Sequence, residues 1–170
     1  ASARIDDLSA DSRILPALAA ARIARISVGI ETVDEECGKK IGKGYSLALC
    51  RDTILSMRRL GIYTVASFIV GLPGETDHLK EKMLEAAVDI GADSVTFVPL
   101  HPLPQGTERT CAEIRLPRLT DEKNAQKMTL AFHSHPKVIA RRKEALQEDS
   151  LRGIITRANL RRNSITETDR

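Results

Sequence analysis

The sequence predicts an α/β protein: a parallel array of βα units followed by a helical C-terminal extension. Two observations carry this. Amphipathic helical patterns alternate with short apolar runs free of charge, and a glycine or a capping residue marks most of the boundaries between them. After residue 101 the alternation stops, and a Pro/Gly-punctuated loop leads into charged helical sequence.

In chain order, residues 3–6 (ARID) read as the end of a first strand. Residues 11–21 read as a helix that leads into a strand at 23–30, without a glycine at the break. Residues 46–60 place Leu47, Cys50, Ile54, Met57 and Leu60 at helical spacing, and Gly61 follows as the left-handed stop. Residues 63–70 (YTVASFIV) form a β-branched and aromatic strand. Thr76 caps a helix over 77–90 that carries Leu79, Met83, Ala87 and Ile90 on one side, with Gly91 as its stop, and 94–100 (SVTFVPL) is the next strand. Residues 121–147 read as helix interrupted before Pro136. A further helix over 149–162 has Leu151, Ile154, Ile155 and Leu160 as its apolar side, and the end from Asn163 is expected to fray.

Unbroken apolar runs predict strands buried on both faces, with helices supplying right-handed crossovers. Such an array belongs either to a doubly wound sheet or to a β/α barrel. A full barrel takes ~250 residues, so these 170 hold part of one. A truncated barrel exposes strand edges, and poor solubility or self-association is expected unless the tail covers them.

Composition excludes several classes. The chain is 42% apolar and 29% charged, which is globular, and it has no apolar run of about 18 residues and no basic-plus-apolar leader. It opens on Ala1, which reads as a processed or excised chain. Cys37, Cys50 and Cys111 are three in number and far apart, so neither a disulfide framework nor a local metal motif is expected; a cytoplasmic, reducing compartment fits. Five aromatics and no Trp leave little to stack on bases, so nucleic acid is not an expected partner. The net charge of +3 resides in residues 141–170, with eight Arg/Lys against five Asp/Glu, and reads as a solvated helical face.

Ligands of parallel α/β folds sit at the carboxyl ends of strands. Three such ends are distinctive here. Glu31 follows one strand, with Lys43 in IGKG twelve residues on; IVGLPGET (69–76) is a glycine-rich turn opening a helix; and Val98-Pro99-Leu100 runs into PLPQGT. Singly, Glu31 reads as a polar strand end, Lys43 as a surface lysine and GLPGET as a capped tight turn. GLPGET is not a phosphate loop, because no Lys-Ser/Thr follows its glycines. His133 and His135 read as a surface pair, Met57 and Met83 as core, Cys37 and Cys111 as structural. His101 stands beyond a strand end, within reach of a ligand there.

The ordered set GIETVDEECGKKIGKGYSLALCRDTILSMRRLGIYTVASFIVGLPGET, then a strand and PLPQGT, resembles the later part of the radical S-adenosylmethionine (SAM) superfamily's partial TIM-like barrel. The resemblance covers residues 3–107, and AFHSHPKVIARRKEAL is similar to the tail of the subgroup that carries a cobalamin-binding domain. It implies a barrel fragment over residues 1–110 and a basic helical extension over 111–170. It also implies cofactor contacts: Glu31 toward the SAM ribose or amino-acid part, Lys43 toward the methionine carboxylate, Ser67 toward the ribose, Ile69 and Gly71 against adenine, and the backbone at Val98 and Pro99 along the adenine edge. The terminal Glu of the family's GxIxGxxE element falls on Gly74, with Glu75 one residue late.

The family's CxxxCxxC cluster motif is absent. The resemblance therefore implies an excised fragment whose partner is the remainder of the parent enzyme, with the [4Fe-4S] ligands, and any cobalamin, outside this chain. The isolated chain is expected to be inactive. Its parent would reductively cleave SAM to a 5′-deoxyadenosyl radical in a reaction of unnamed substrate, such as methylation or cyclisation. Two other readings stand beside it: a non-catalytic α/β scaffold whose basic tail binds RNA or a protein, and a smaller enzyme whose nucleotide site at GLPGET is complete in itself.

Overall fold

The computed structural model describes residues 1–101 and 119–168, with side chains as far as Leu160. The 102–107 loop and Cys111 lie outside the described residues. Four strands, β1 (Ser2–Ala3), β2 (Arg25–Glu31), β3 (Tyr63–Val70) and β4 (Ser94–Pro99), form one parallel sheet in the order β1-β2-β3-β4. Helices α1 (Ile5–Ser9) and α2 (Ile14–Ala20) connect β1 to β2. Helices α3 (Glu35–Lys40) and α4 (Leu47–Arg59) connect β2 to β3, and α5 (Asp77–Asp89) connects β3 to β4. The chain then forms α6 (Leu119–Ser134), α7 (Pro136–Leu146) and α8 (Leu151–Thr168). The α/β class and the helical C-terminal part are as the sequence predicts.

The helix ends explain the regular spacing of strands. In α2, α3 and α4 the residue after the C-cap is left-handed, namely Arg22 (φ 57°), Gly42 (φ 71°) and Gly61 (φ 73°). In each, the next N–H reaches back to the third-last helical carbonyl: Ile23 to Leu18 at 3.0 Å, Lys43 to Gly38 at 2.7 Å and Ile62 to Met57 at 3.0 Å. This double closure satisfies the orphaned carbonyls and turns the chain within two residues. The break without glycine at α2 uses Arg22 for the same purpose. Ser46 and Thr76 cap α4 and α5 by accepting from Leu49 and Leu79 N–H, each at 3.2 Å.

The core lies on one face of the sheet. Ile26, Val28, Ala66, Phe68, Val95 and Phe97 are buried there with Cys50, Ile54 and Met57 of α4 and Met83 and Ala87 of α5, and Phe68 stacks on Phe97 at 5.5 Å. Burial on both faces is a correction. Strands β2 and β4 alternate, with Ser27, Gly29, Ser67, Thr96 and Val98 only partly covered. Strand β3 is buried on both faces only in its first half, where Tyr63 and Val65 are covered on this second, concave side; toward the carboxyl end small and polar side chains leave it open.

The C-terminal helices close two boundaries of the sheet. Along the outer edge of β4, Thr129 Oγ1 of α6 accepts from Phe97 N–H at 3.4 Å and donates to Ala125 O at 2.9 Å. At the strand feet, Arg152 of α8 is 1% exposed, its Nε 2.6 Å from Asp93 Oδ1 and its N–H on Gly61 O at 2.9 Å. Asp93 Oδ2 accepts from Thr64 N–H at 2.9 Å and Thr64 Oγ1 at 3.1 Å, and Glu148 pairs with the same arginine.

Three further corrections concern the C-terminal helices. The buried side of α8 is Arg152, Gly153 and Thr156, while Ile154 and Leu160 are 53% and 41% exposed. A Cβ on Gly153 would meet Glu148 O at 2.2 Å, so glycine is what lets α8 approach. Nor is the basic tail a solvated face throughout. Arg141 Nη2 donates to Val88 O at 3.0 Å, and Arg157 Nη1 to Leu146 O at 2.8 Å. The end from Asn163 is helical as far as Thr168, in a stretch with neither Gly nor Pro.

Arg152→Met leaves Asp93 charged and buried, and is expected to cost about 3–5 kcal/mol, read as a lowered urea midpoint. His133, half-buried beside Arg142, is pushed down from 6.5 to about 4 by burial and by that guanidinium. Its proton is therefore taken up more readily by the unfolded chain, and stability falls as pH drops from 6.5 toward 4. His133→Asn is expected to flatten that part of the urea-midpoint profile.

Candidate functional site

The carboxyl end of the sheet is built from three strand ends. At β2 the register slips between Gly29 and Glu31. Thr32 N–H donates to Ile30 O at 2.9 Å, closing a γ-turn around Glu31, whose φ is +71°. A positive φ on a glutamate costs of order 1–3 kcal/mol and persists where surroundings over-determine it. The turn folds the carboxylate back over the strand: a Cβ on Gly29 would lie 2.1 Å from Glu31 Oε1 and 3.2 Å from Lys43 Nζ. The Tyr45 hydroxyl donates to the Gly29 carbonyl at the same bulge.

Lys43 arrives through α3. Asp34 caps that helix by accepting from Cys37 N–H at 2.9 Å, and left-handed Gly42 ends it. Lys43 Nζ then stands 3.3 Å from Glu31 Oε1, with side chains 17% and 18% exposed. The sequence reading missed α3, although Asp34, the first-turn acids Glu35 and Glu36, the last-turn bases Lys39 and Lys40, and Gly42 were its signal.

Register aligns the rest. Gly29, Ser67 and Thr96 stand side by side across β2, β3 and β4, and Ile69 pairs with Val98 one step closer to the carboxyl end. The row of small residues leaves the concave face shallow beneath the Glu31–Lys43 pair. Beyond β3, Leu72-Pro73-Gly74-Glu75 is a turn closed by Glu75 N–H on Leu72 O at 3.1 Å, with Gly74 at φ 81°. Glu75 Oε2 accepts from Gly71 N–H at 2.7 Å, and burial raises its carboxyl. The glutamate that follows the family pattern by one residue thus pins the glycine turn. Gly71 has φ 95°, and a Cβ there would meet the Asp121 carboxyl carbon at 3.1 Å. Val98 and Pro99 pair with Ile69 and Val70, and Leu100 N–H extends the pairing to Val70 O at 2.8 Å.

All seven sequence-selected residues lie at or just below this one sheet end. Of the other candidates only His101 stands near this end, and the rest lie elsewhere among the described residues. Met57 and Met83 are core, His133 contacts Arg142, and His135 caps α7 by accepting from Lys137 N–H at 3.2 Å. His101 is exposed just past β4.

The profile of the radical SAM superfamily matches residues 4–87. Residues 4–87 belong to that superfamily. Coproporphyrinogen III oxidase (HemN) from Escherichia coli, a radical SAM enzyme, superposes with a TM-score of 0.65 at 16% identity, over 89% of this chain and 39% of that one. The shared fold is thus a parallel α/β sheet that forms part of a TIM-like barrel. An uncharacterised protein of Methanopyrus kandleri is 37% identical over 82 residues, covering 46% of this chain and 16% of that protein. Protein YhcC of Escherichia coli is 30% identical over 76 residues (45% and 25%), and the anaerobic magnesium-protoporphyrin IX monomethyl ester cyclase of Rubrivivax gelatinosus 28% over 101 residues (59% and 18%). The chain therefore spans a quarter or less of the length of these curated relatives.

The described residues do not fit an iron–sulfur cluster. Among them no group of three His, Cys, Asp or Glu could hold a metal. Cys50 is fully buried, its thiol pushed up by burial to about 11, and Cys37 sits in the first turn of α3. Among the described residues no helix is long and apolar enough to cross a membrane.

Gly71→Val is expected to cost about 1–3 kcal/mol in urea unfolding. Gly44→Ala, whose Cβ would meet nothing closer than Lys39 Cγ at 3.9 Å, is expected to cost less.

Proposed function

We propose that this chain forms the later, SAM-binding wall of a radical SAM catalytic domain. The observation that carries the reading is the Glu31–Lys43 pair, held over Gly29 by a strained turn at the carboxyl end of β2 and beside Ser67. A zwitterionic amino acid needs one anion for its ammonium and one cation for its carboxylate, and this pair offers both on a floor of small residues. Ser67 is the short polar group nearest the row's centre and suits a ribose hydroxyl. Ile69 and Val98 supply an apolar wall for adenine, Gly71 lets the backbone approach it, and the strand at Val98 and Pro99 borders its edge.

Glu31 and Lys43 then orient the cofactor's amino-acid end, and the Glu75–Gly71 hydrogen bond fixes the adenine end. The reductive chemistry belongs to a cluster held by cysteines outside the described residues, and the chain alone is proposed to be inactive. Oxidoreductase or transferase outcome and substrate are set by the parent's other segments, which are also this chain's proposed partner. Four of the tail's arginines, Arg141, Arg142, Arg152 and Arg157, make internal contacts, which weighs against an RNA-binding tail.

In the parent polypeptide, Lys43→Ala is expected to raise the KM for SAM roughly tenfold or more, as loss of a charged hydrogen bond does, with the cluster's visible absorption unchanged. The parent's upstream sequence is expected to contain CxxxCxxC. An unchanged KM would remove Lys43 from the site, and an upstream sequence without the cysteines would remove the radical chemistry.

A further inference from the structure

The concave face is hollow at the strand feet. A cavity of 600 Å³ lies there, between the first residues of β2, β3 and β4 and helices α6, α7 and α8. That volume is ordinary for a small-molecule site. It stands at the opposite end of β2 and β3 from Glu31 and Gly71, so it is separate from the site proposed above.

Its chemistry is lopsided. Among the described residues, two guanidinium groups, Arg25 and Arg142, line it, and no carboxylate does. Arg25 is exposed and has no ion-pair partner among the described residues. Arg142 donates to the His133 carbonyl at 3.4 Å and to His133 Nδ1, both uncharged acceptors, and among the described residues no carboxylate pairs with it directly, although Asp93 acts on it from beyond the wall. Burial and Arg142 hold that imidazole neutral above about pH 4. Tyr63, also on the wall, is neutral, with burial raising its phenol further, and its oxygen accepts from Asn159 Nδ2 at 3.2 Å. Asp93, the acid at the strand feet, is turned away toward Arg152 and Thr64. The rest of the wall is mixed: Ser94 and Thr156 add two hydroxyls, and Val65, with Leu130 and Leu160 left 62% and 41% exposed on the rim, is its apolar part.

We propose that this cavity binds a small amphiphilic anion, a carboxylate or phosphate group set between Arg25 and Arg142 with an aliphatic body against Val65, Leu130 and Leu160. Two such cations in a partly desolvated cleft attract an oxyanion strongly. The exposed leucines gain by covering with an apolar chain. The size of the cleft suits a ligand of small-molecule dimensions.

The chain has two tyrosines and no tryptophan, and Tyr63 lines the cavity while Tyr45 sits at the other sheet end. Tyrosine emission therefore reports binding of non-absorbing probes. Hexanoate and hexyl phosphate are expected to change it saturably, the tighter of the two identifying the head group, and 1-hexanol to bind at least about tenfold more weakly. Arg25→Ala, a surface change, is expected to weaken hexanoate about tenfold or more, whereas Lys43→Ala leaves it unchanged. Absence of saturable binding, equal binding of 1-hexanol, or indifference to Arg25→Ala would each overturn the proposal. Loss on Lys43→Ala with retention on Arg25→Ala would also overturn it, by moving the ligand to the other end of the sheet.

Discussion

The buried pair of Arg152 and Asp93 is the constraint on which the rest of the fold hangs. Asp93 precedes β4 and is bonded to Thr64 at the foot of β3, so its position ties two neighbouring strands together at their starts. Arg152 brings α8 to that point, and its backbone N–H takes the Gly61 carbonyl that ends the turn before β3. A carboxylate removed from water is unfavourable without such a partner. The sheet's foot is therefore stable only with the C-terminal helices in place, which makes the extension part of the fold's support.

The two ends of the strands differ in kind. The feet are fixed by short helix-to-strand turns and by one buried ion pair. The carboxyl ends carry Glu31 in a positive-φ turn, a register slip beside it, and Gly71 at φ 95°, where a side chain would meet the Asp121 carboxyl. Of the two non-glycine residues with positive φ, Arg22 closes the helix turn that feeds the foot of β2, and Glu31 stands at the candidate site, where a strained residue is expected to be held by its surroundings. Glu75 shows how such holding works. Its carboxylate holds Gly71 N–H at some desolvation cost, and the left-handed Gly74 makes that reach possible.

Much of this was legible in the residues. Strand β3 runs from Tyr63 to Val70 as read, α4 and α5 agree to within a residue or two at each end, and the caps Ser46 and Thr76 stand where their side chains can accept from the third N–H. Local chemistry sets these features, so local sequence reveals them. Where the reading failed, the cause was not local. The face of α8 was misassigned because Arg152 is drawn inward by an aspartate 59 residues earlier in the chain. The concave face was read as buried because an apolar run does not say whether anything covers it. Helix α3 was overlooked because six residues are too few for an apolar period, and only its caps announced it. At the site, the strand-end positions were visible, but the fold-back of Glu31 over Gly29 depends on a bulge that no residue in GIET announces.

The Thr129 hydroxyl against Phe97 gives the assembly a direction of growth. A strand that joined the sheet beside β4 would need the Phe97 amide that this side chain already occupies, and would have to lift α6 away to reach it. Any further strands are thereby steered to the β1 side. A barrel wall built on this chain closes from that flank toward α6, with the helix as the fixed post of the gap.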